Sequence, residues 1–215
     1  MAIRPPRRSA LGVTWCEDAT RGLLGVRKNQ GIFHGACGID PGGWIRTFVA
    51  ATSWLQYPHQ LTRNRTGITV ICRVKDFVHS GVTQFILGQG SSVAWDANIE
   101  FMLYVNATDT MAFYLNRDGA AAAAVSSIAL LTAADTMIGA TWDTADNMRI
   151  FVNGEQNNVG AVAAGTINDV GQPLTVGLRA NGDVPFSGAI KPELVDFRRW
   201  SDDEIRNYYR RSTFH

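Results

Sequence analysis

Four segments in the second half of the chain constrain its fold most: residues 111–117, 135–142, 148–154 and 188–209. The first three are short, rich in aliphatic, aromatic and β-branched residues, and separated by turn-forming residues, which predicts antiparallel strands. The fourth predicts a strand that runs into a helix. Together the segments favour a mainly β architecture with one helix near the end of the chain.

Strand signals recur along the rest of the chain from about residue 66. Ile68, Val70, Cys72 and Val74 alternate with the residues between them, as expected for a strand. The pattern predicts strands at residues 31–34, 44–50, 68–74, 84–88, 99–105, 111–115, 136–142, 148–153, 174–178 and 189–200. Short strands with turn dipeptides such as Asn153-Gly154 are typical of a two-sheet antiparallel sandwich, so the predicted fold class is an all-β jelly roll.

Two segments depart from the simple strand pattern. Residues 120–124 are five alanines, and their β-rich flanks favour a packed sheet edge or a loop over a helix. Pro192 interrupts the last predicted strand and cannot donate to a sheet ladder, which predicts a bulge or an edge there.

One helix is predicted, beginning after Ser201. Ser201 and Glu204 have the spacing of a capping box, in which each side chain satisfies a backbone amide of the other. Acidic residues fill the first turn and arginines the last, as the helix dipole favours. Ile205, Tyr208 and Tyr209 form an apolar stripe that should pack against the sheet.

The length of 215 residues predicts one domain, here residues 11–215, with a loop-rich lead-in to about residue 66. Trp15, Trp44 and Trp54 can anchor this lead-in on a sheet. Residues 1–10 form a basic extended arm. The arm is either a partner-docking segment or a disordered leader, and its candidate docking residues are Arg4, Pro5, Pro6, Arg7 and Arg8.

Composition argues against several function classes. The formal net charge of +1 lacks the basic excess of a nucleic-acid-binding protein. No apolar run is long enough for a membrane-spanning helix, and the N-terminal residues do not form a signal peptide, which predicts a protein that is made and kept in a cytoplasm or leaves it by lysis. Cys16, Cys37 and Cys72 fit buried free thiols, with a Cys16–Cys37 bridge as the alternative.

Several motifs resemble, in order, those of the laminin-G-like, concanavalin A-like jelly-roll family. They lie at residues 68–74 (ITVICRV), 137–143 (MIGATWD), 148–154 (MRIFVNG), 174–177 (LTVG) and 186–190 (FSGAI), followed by 200–205 (WSDDEI). The resemblance covers roughly residues 66–209. It implies a binding or structural scaffold more often than an enzyme. Glucanases of this fold carry clustered acidic residues on one strand, and the chain has neither Glu-x-Asp-x-Glu nor Glu-x-Asp-x-x-Glu.

Candidate binding residues follow from side-chain chemistry, since a glycan site would use an exposed aromatic with nearby amides and carboxylates. For a glycan, Trp95 with Asp96 and Asn98 in a predicted loop is the favoured candidate, while Trp142 and Trp200 are expected in the core. Relatives bind calcium at the rim of the sandwich, so the candidates are Asp96, Asp143, Asp146, Asp169 and Asp183, although solvated turns explain them more simply. The histidines are expected on loops or at the surface. No cofactor is predicted.

Three function classes remain. The favoured one is a non-enzymatic bacteriophage structural protein that decorates or cements a capsid or tail. It would be assembled in the host cytoplasm, dock through the arm on neighbouring virion subunits, and form a homo-oligomer. The low share of charged residues, 18%, suits extensive subunit contact. The alternative is a carbohydrate-binding adhesin module, and a glycan-active enzyme is the least favoured.

Overall fold

A computed structural model describes residues 32–35, 37–40, 42–46, 52–57, 65–90, 99–117, 120–144, 147–161, 164–179 and 184–213. Within them the chain forms fourteen strands and one helix. The strands are β1 Ile32–His34, β2 Gly38–Ile39, β3 Ile45–Arg46, β4 Trp54–Tyr57, β5 Gly67–Lys75, β6 Gln84–Gly90, β7 Ile99–Val105, β8 Thr110–Arg117, β9 Ala120–Leu130, β10 Thr136–Asp143, β11 Met148–Val152, β12 Glu155–Gly160, β13 Leu174–Val176 and β14 Ala189–Asp196. The helix, α1, spans Asp202–Thr213.

The strands form two seven-stranded antiparallel sheets. The first has the order β1-β4-β13-β6-β7-β8-β9, and the second has the order β12-β11-β10-β5-β14-β3-β2. This arrangement confirms the all-β sandwich predicted from the sequence. Neighbours in each sheet are often far apart in the chain, as in a jelly roll.

A single apolar core lies between the sheets. Successive strand side chains point to opposite faces, so alternate residues of each strand enter it. Phe101, Leu103 and Val105 enter from the first sheet, and Val70, Cys72 and Trp142 from the second. Trp142 is fully buried, which confirms its expected place in the core. Burying each large apolar side chain contributes about 1.5–3 kcal/mol.

Most predicted strands are present with bounds close to those expected. The alanine run begins β9, an edge strand of the first sheet, which confirms the edge interpretation. The ladder between β14 and β5 shifts register between Pro192 and Leu194, so the proline lies at a bulge. Asn153 and Gly154 both have positive φ, 52° and 80°, as required by the predicted tight turn.

The lead-in is more regular than the sequence indicated. Strands β1 to β4 precede residue 66 and join both sheets, and of these β2 and β4 were not predicted as strands. Strand β12, later in the chain, was not predicted either. The predicted strand at residues 44–50 is described only as Ile45–Arg46, because residues 47–50 lie outside the described part.

The two sides of the sandwich are built differently. On one side, edge strands β9 and β12 lie against each other. The Ile128 backbone amide donates to Asn157 Oδ1 at 2.7 Å, and Asn158 Nδ2 donates to the Ser126 carbonyl oxygen at 2.5 Å. On the other side the edge strands are β1 and β2, which are consecutive in the chain.

Helix α1 covers the outer face of the second sheet. Its Ile205 is fully buried against Ile71, Met137, Phe151 and Leu194, with Trp200, Tyr208 and Tyr209 around them. The predicted capping box is formed: the Ser201 amide donates to Glu204 Oε2 at 2.9 Å, and the Glu204 amide donates to Ser201 Oγ at 3.2 Å. No helix in the described residues is long and apolar enough to cross a membrane.

Candidate functional site

The outer face of the first sheet is the surface that the helix does not cover. Its strands are in register, so one residue from each strand forms a row across the sheet. The row runs through Ile32, Gln56, Thr175, Gly88, Met102, Tyr114 and Ala124. A second row pairs Phe85 with Tyr104, Tyr104 with Ala112, and Ala112 with Ser126.

The centre of this outer face is apolar and buried. Phe85, Met102, Tyr104, Ala112 and Tyr114 form a cluster, called here the tyrosine face. Tyr104 is 9% exposed and Tyr114 is 6% exposed. Burial, with a smaller contribution from Tyr114, raises the pKa of Tyr104 to about 12. The tyrosine face is therefore shielded from water within the single chain.

Towards the β1 edge the same face is half-exposed and aromatic. His34 and Trp54 are cross-strand partners, and their rings stack with centroids 4.2 Å apart and planes 12° from parallel. We call these two residues the aromatic pair. Trp54 Nε1 donates to Gln56 Oε1 at 3.4 Å, which brings an amide to the same surface. The buried His34 Nε2 has no hydrogen-bond partner in the described structure.

Cys37 and Gly35 fix the backbone beneath the aromatic pair. The Cys37 thiol lies 3.2 Å from the His34 carbonyl oxygen and 3.3 Å from that of Trp54, and it donates its proton between them. Burial raises the pKa of this thiol, so it stays protonated. Gly35 has φ of 66°, and a Cβ there would meet the Thr52 carbonyl oxygen at 1.8 Å. Cys37 is free, so the alternative of a bridge to Cys16 is wrong.

A buried carboxylate lies at the opposite end of the first sheet from the aromatic pair. Glu100 on β7 is fully buried and is the one acidic residue in the seven described strands of this sheet. Gln89 Nε2 donates to its Oε2 at 2.5 Å, and the Val170 amide donates to its Oε1 at 3.0 Å. Hydrolysis of a glycosidic bond uses two carboxyl groups about 5–10 Å apart, and Glu100 has no such companion on these strands.

The structure leaves the predicted binding residues untested. Trp95, Asp96 and Asn98 belong to the connection between β6 and β7 and lie outside the described residues, as do Arg4, Pro5, Pro6, Arg7 and Arg8. Trp200, expected in the core, packs edge-on against Tyr208 and donates from Nε1 to Asp196 Oδ2 at 2.8 Å. Its role is to hold α1 in place.

The predicted calcium ligands do not converge where they are described. Asp143 forms an ion pair with Arg199 at 3.6 Å, and Asp169 accepts the Gly171 amide at 3.1 Å within a turn. Asp96, Asp146 and Asp183 lie outside the described residues. Among the residues that are described, no group of three or more His, Cys, Asp or Glu side chains could hold a metal ion.

Sequence reasoning missed the aromatic pair. It predicted the strand that contains His34 and expected the histidines on loops or at the surface, but it did not foresee that His34 stacks on Trp54. It assigned Trp54 only to anchoring the lead-in. The two residues are twenty positions apart, and only the register between β1 and β4 brings them together. The pair could have been predicted only if the sequence of β4 had shown a recognisable strand pattern.

Comparisons with known proteins agree with this architecture. A family model described as the concanavalin A-like lectin/glucanases superfamily matches residues 50–205. The binding domain of Paraclostridial Mosquitocidal Protein 1 has a similar structure, with a TM-score of 0.67 and 11% identity over 88% of this chain and 49% of that one. The receptor-binding domain of botulinum neurotoxin C/D mosaic serotype gives 0.64 and 11%, over 85% and 46%.

A third similar structure is described as the botulinum neurotoxin serotype D ligand-binding domain in complex with N-acetylneuraminic acid. It has a TM-score of 0.63 and 12% identity, covering 85% of this chain and 46% of that one. The chain thus spans about half the length of each of these three solved proteins. At these identities the likeness shows the fold. No curated protein sequence matches the chain.

Proposed function

The chain belongs to the concanavalin A-like lectin/glucanases superfamily, and from this premise we propose that it is a non-enzymatic glycan-binding module whose site is the aromatic pair on the outer face of the first sheet. The observation that carries the proposal is the half-exposed stack of His34 on Trp54 beside the Gln56 amide. Aromatic side chains with a few convergent polar groups are typical of the lining of small-ligand sites.

Each component of the site has a role in binding a sugar. The aromatic rings offer an apolar surface to the C–H face of a pyranose ring, and their large contact area costs little conformational entropy. The Gln56 amide both donates and accepts hydrogen bonds, as sugar hydroxyls require.

The solved neighbours support the class of ligand. One is described in complex with N-acetylneuraminic acid, and another is described as entering cells through interaction with two ganglioside molecules. Both descriptions concern the toxins. They support a glycan as the class of ligand proposed for this chain, which spans about 46% of each of these toxin domains.

The absence of catalysis is part of the proposal. Both Glu100 oxygens accept hydrogen bonds from within the protein, from Gln89 and from the Val170 amide. A carboxyl group held in this way positions β7 and the segment before β13. It lacks the second carboxylate that either mechanism of glycoside hydrolysis requires, within the strands described.

A glycan array followed by titration with the best-binding glycan tests the site. Replacing Trp54 by alanine should weaken binding about tenfold or more, since the loss of one aromatic contact removes on the order of 1.4 kcal/mol. Trp54→Phe keeps a ring on the strand and should retain most of the affinity.

Trp95→Ala provides the matched comparison, because Trp95 is the residue that the sequence favoured. If Trp95→Ala abolishes binding while Trp54→Ala does not, the glycan site lies on the connection between β6 and β7 and the aromatic pair is not the site. If the intact chain binds no glycan on the array, the glycan-binding function itself is wrong.

The virion role stays a prediction, because its docking residues lie outside the described part of the chain. Its first test is light scattering of the intact chain and of a chain lacking residues 1–10. Arm-mediated self-assembly predicts a multimer that dissociates on deletion. Monomers in both samples would contradict it.

A further inference from the structure

A second pair of outward-facing side chains adjoins the aromatic pair. In the β1–β4 ladder Ile32 is the partner of Gln56, two residues along each strand from the aromatic pair. The residues between the two rows, Phe33 and Leu55, pack in or against the apolar core. Because strand side chains alternate between faces, Ile32 and Gln56 share the outer face with the aromatic pair. We call these two residues the aliphatic–amide pair.

Ile32 offers exposed aliphatic surface beside the aromatic pair, since it is 60% exposed. Five other large apolar residues in the described part of the chain are exposed, and none of them lies in the β1–β4 ladder. They are Val78, Val82, Ile128, Leu130 and Val159. A ligand that covers Ile32 gains the free energy of removing aliphatic surface from water, about 25 cal/mol per Å².

Gln56 brings an amide between Ile32 and the aromatic pair. Trp54 Nε1 donates to Gln56 Oε1 at 3.4 Å, which draws the amide along β4 towards the indole ring. A glutamine carbonyl oxygen accepts two hydrogen bonds, and its NH₂ group donates two. The Gln56 amide can therefore both accept from and donate to a ligand that lies over it.

The spacing of the two rows limits what can reach the aliphatic–amide pair from a ring stacked on the aromatic pair. Residues two apart on an antiparallel strand are separated by about 7 Å. Cross-strand partners have Cβ atoms about 4.5–5.5 Å apart, so each row has roughly the width of one sugar ring. A sugar ring over the aromatic pair therefore meets Ile32 and Gln56 through a substituent that extends along the strands.

An acetamido group has the length and the chemistry for that contact. It is a secondary amide with the geometry of a trans peptide, whose two flanking carbons lie about 3.8 Å apart. Its methyl group is apolar, as Ile32 is, and its N–H and C=O groups complement the Gln56 amide. A methyl group attached directly to the ring extends by one bond, about 1.5 Å, and makes no use of an amide. A hydroxyl group placed against Ile32 would lose water without gaining a hydrogen bond there.

We infer that the proposed glycan site selects sugars that carry an acetamido group. The ring lies on the aromatic pair, the acetamido methyl packs on Ile32, and the acetamido N–H and C=O exchange hydrogen bonds with Gln56. Ile32 and Gln56 are thus the specificity-determining residues, whereas the aromatic pair contacts the ring itself. The inference rests on the proposed function, since it needs a sugar at the aromatic pair, and it adds the class of sugar.

Sugars that differ only in this group test the inference. The probes are triacetylchitotriose against cellotriose, and methyl N-acetylgalactosaminide against methyl galactoside, each titrated into the intact chain. In each pair the acetamido group replaces the hydroxyl group on the second ring carbon. In at least one pair the acetamido sugar should bind about tenfold more tightly, because a buried methyl group and a hydrogen bond act together.

Ile32→Ala separates selection from binding. It should reduce the preference for the acetamido sugar about threefold, because the methyl group loses the surface that covers it. Ile128→Ala is the matched control, because Ile128 lies on β9, the opposite edge strand of the same sheet, and is 76% exposed. It should leave the preference unchanged. Trp54→Ala should weaken both members of a pair by similar factors.

The outcomes distinguish the inference from the proposed function. Equal or tighter binding of the unsubstituted sugar in both pairs, or binding confined to sugars without an acetamido group, overturns the inference and leaves the glycan site in place. A preference that Ile32→Ala does not reduce also overturns it. If the intact chain binds no sugar of either pair and none on the array, the inference and the proposed function fail together.

Discussion

The two outer faces of the sandwich are closed in different ways. The outer face of the second sheet is covered by α1, whose Ile205 inserts into an apolar cluster. An ion pair from Arg206 Nε to Glu155 Oε1 at 3.1 Å also joins the helix to β12. The outer face of the first sheet is buried at its centre and half-exposed at the aromatic pair. The helix covers the second sheet, whereas the first sheet keeps two half-exposed aromatic rings near its β1 edge, where the proposed glycan site lies.

The helix on one face is specified by residues that are neighbours in the sequence, whereas the aromatic pair on the other face is specified by the pairing of two strands. The capping box, the charge arrangement and the apolar stripe of α1 all lie within thirteen consecutive residues, 201–213. The aromatic pair exists only because β1 and β4 are aligned so that His34 faces Trp54. Substitutions on the two faces should therefore separate stability from binding.

The largest expected effect on stability comes from the helix-covered face. Ile205→Ala removes a fully buried side chain and leaves a cavity against Ile71, Met137, Phe151 and Leu194. It should lower the free energy of unfolding by about 2–5 kcal/mol. Denaturant unfolding followed by tryptophan fluorescence measures the change.

Ile32→Ala is the matched control on the other face, because Ile32 is 60% exposed. It should change stability by less than about 0.5 kcal/mol. Equal effects of the two substitutions would mean that α1 does not stabilise the sandwich through Ile205.

The next largest loss of stability is expected from a substitution at the start of the helix. Ser201→Ala removes the hydroxyl that accepts the Glu204 amide and should cost about 0.5–2 kcal/mol. Thr213→Ala, at the other end of the helix, removes a hydroxyl that donates to the Tyr209 carbonyl oxygen and should cost less. Thermal unfolding of both variants gives the comparison. A larger loss for Thr213→Ala would show that the capping box does not anchor the helix.

A smaller loss of stability is expected from a substitution beneath the aromatic pair. Cys37→Ala removes the donor shared by the His34 and Trp54 carbonyl oxygens and should cost about 0.5–1.5 kcal/mol. Glycan affinity should fall with it, because the stacking of the two rings depends on their backbone positions. Cys37→Ser keeps a donor and should recover affinity. Unchanged binding in Cys37→Ala would separate the thiol from the site.

The smallest expected effect is on how the free energy of unfolding changes with pH, and it arises on the helix-covered face. Glu193 lies under α1 with its Oε1 3.2 Å from Arg73 Nε. Burial raises the pKa of Glu193, against the opposing effect of Arg73. The folded chain therefore holds a proton that the unfolded chain releases near pH 4.3. Glu193 thus makes the free energy of unfolding fall as pH rises from there to the raised pKa.

Glu193→Gln removes that contribution. Unfolding measured from pH 4 to 8 should show a more negative slope for the natural chain than for the variant above pH 4.3. Comparing the two chains cancels the contributions of the other carboxylates, such as Glu155, whose pKa is lowered by the hydrogen bond from Arg206. Parallel curves would contradict the assigned direction.

The sequence predicted the elements whose signals are local. Strands β5, β7, β8, β10 and β11 have strong apolar patterns, and α1 has its capping box. Strand β12 was missed because it is a polar edge strand, Glu-Gln-Asn-Asn-Val-Gly, whose Asn157 and Asn158 bond to β9. Strand β4 was missed because four residues are too few to show alternation.

The candidate site was harder to predict than the strands, because its residues lie far apart in the sequence. The sequence favoured Trp95 because Asp96 and Asn98, whose side chains can hydrogen-bond to sugar hydroxyls, lie next to it in the chain. The partners of Trp54 are His34 and Cys37, which lie twenty and seventeen positions earlier in the chain. Their alignment follows from sheet pairing, which a single sequence does not encode in any short window.

The side-chain amides that join β9 to β12 also limit how copies of this chain can associate. Strand addition needs a row of unpaired backbone groups, and on that side the Ile128 amide and the Ser126 carbonyl oxygen are already engaged. Open-ended fibre growth requires two addable flanks per molecule. A strand added by another copy at this flank would have to displace these two hydrogen bonds, so the Asn157 and Asn158 side chains disfavour growth from the β9 edge.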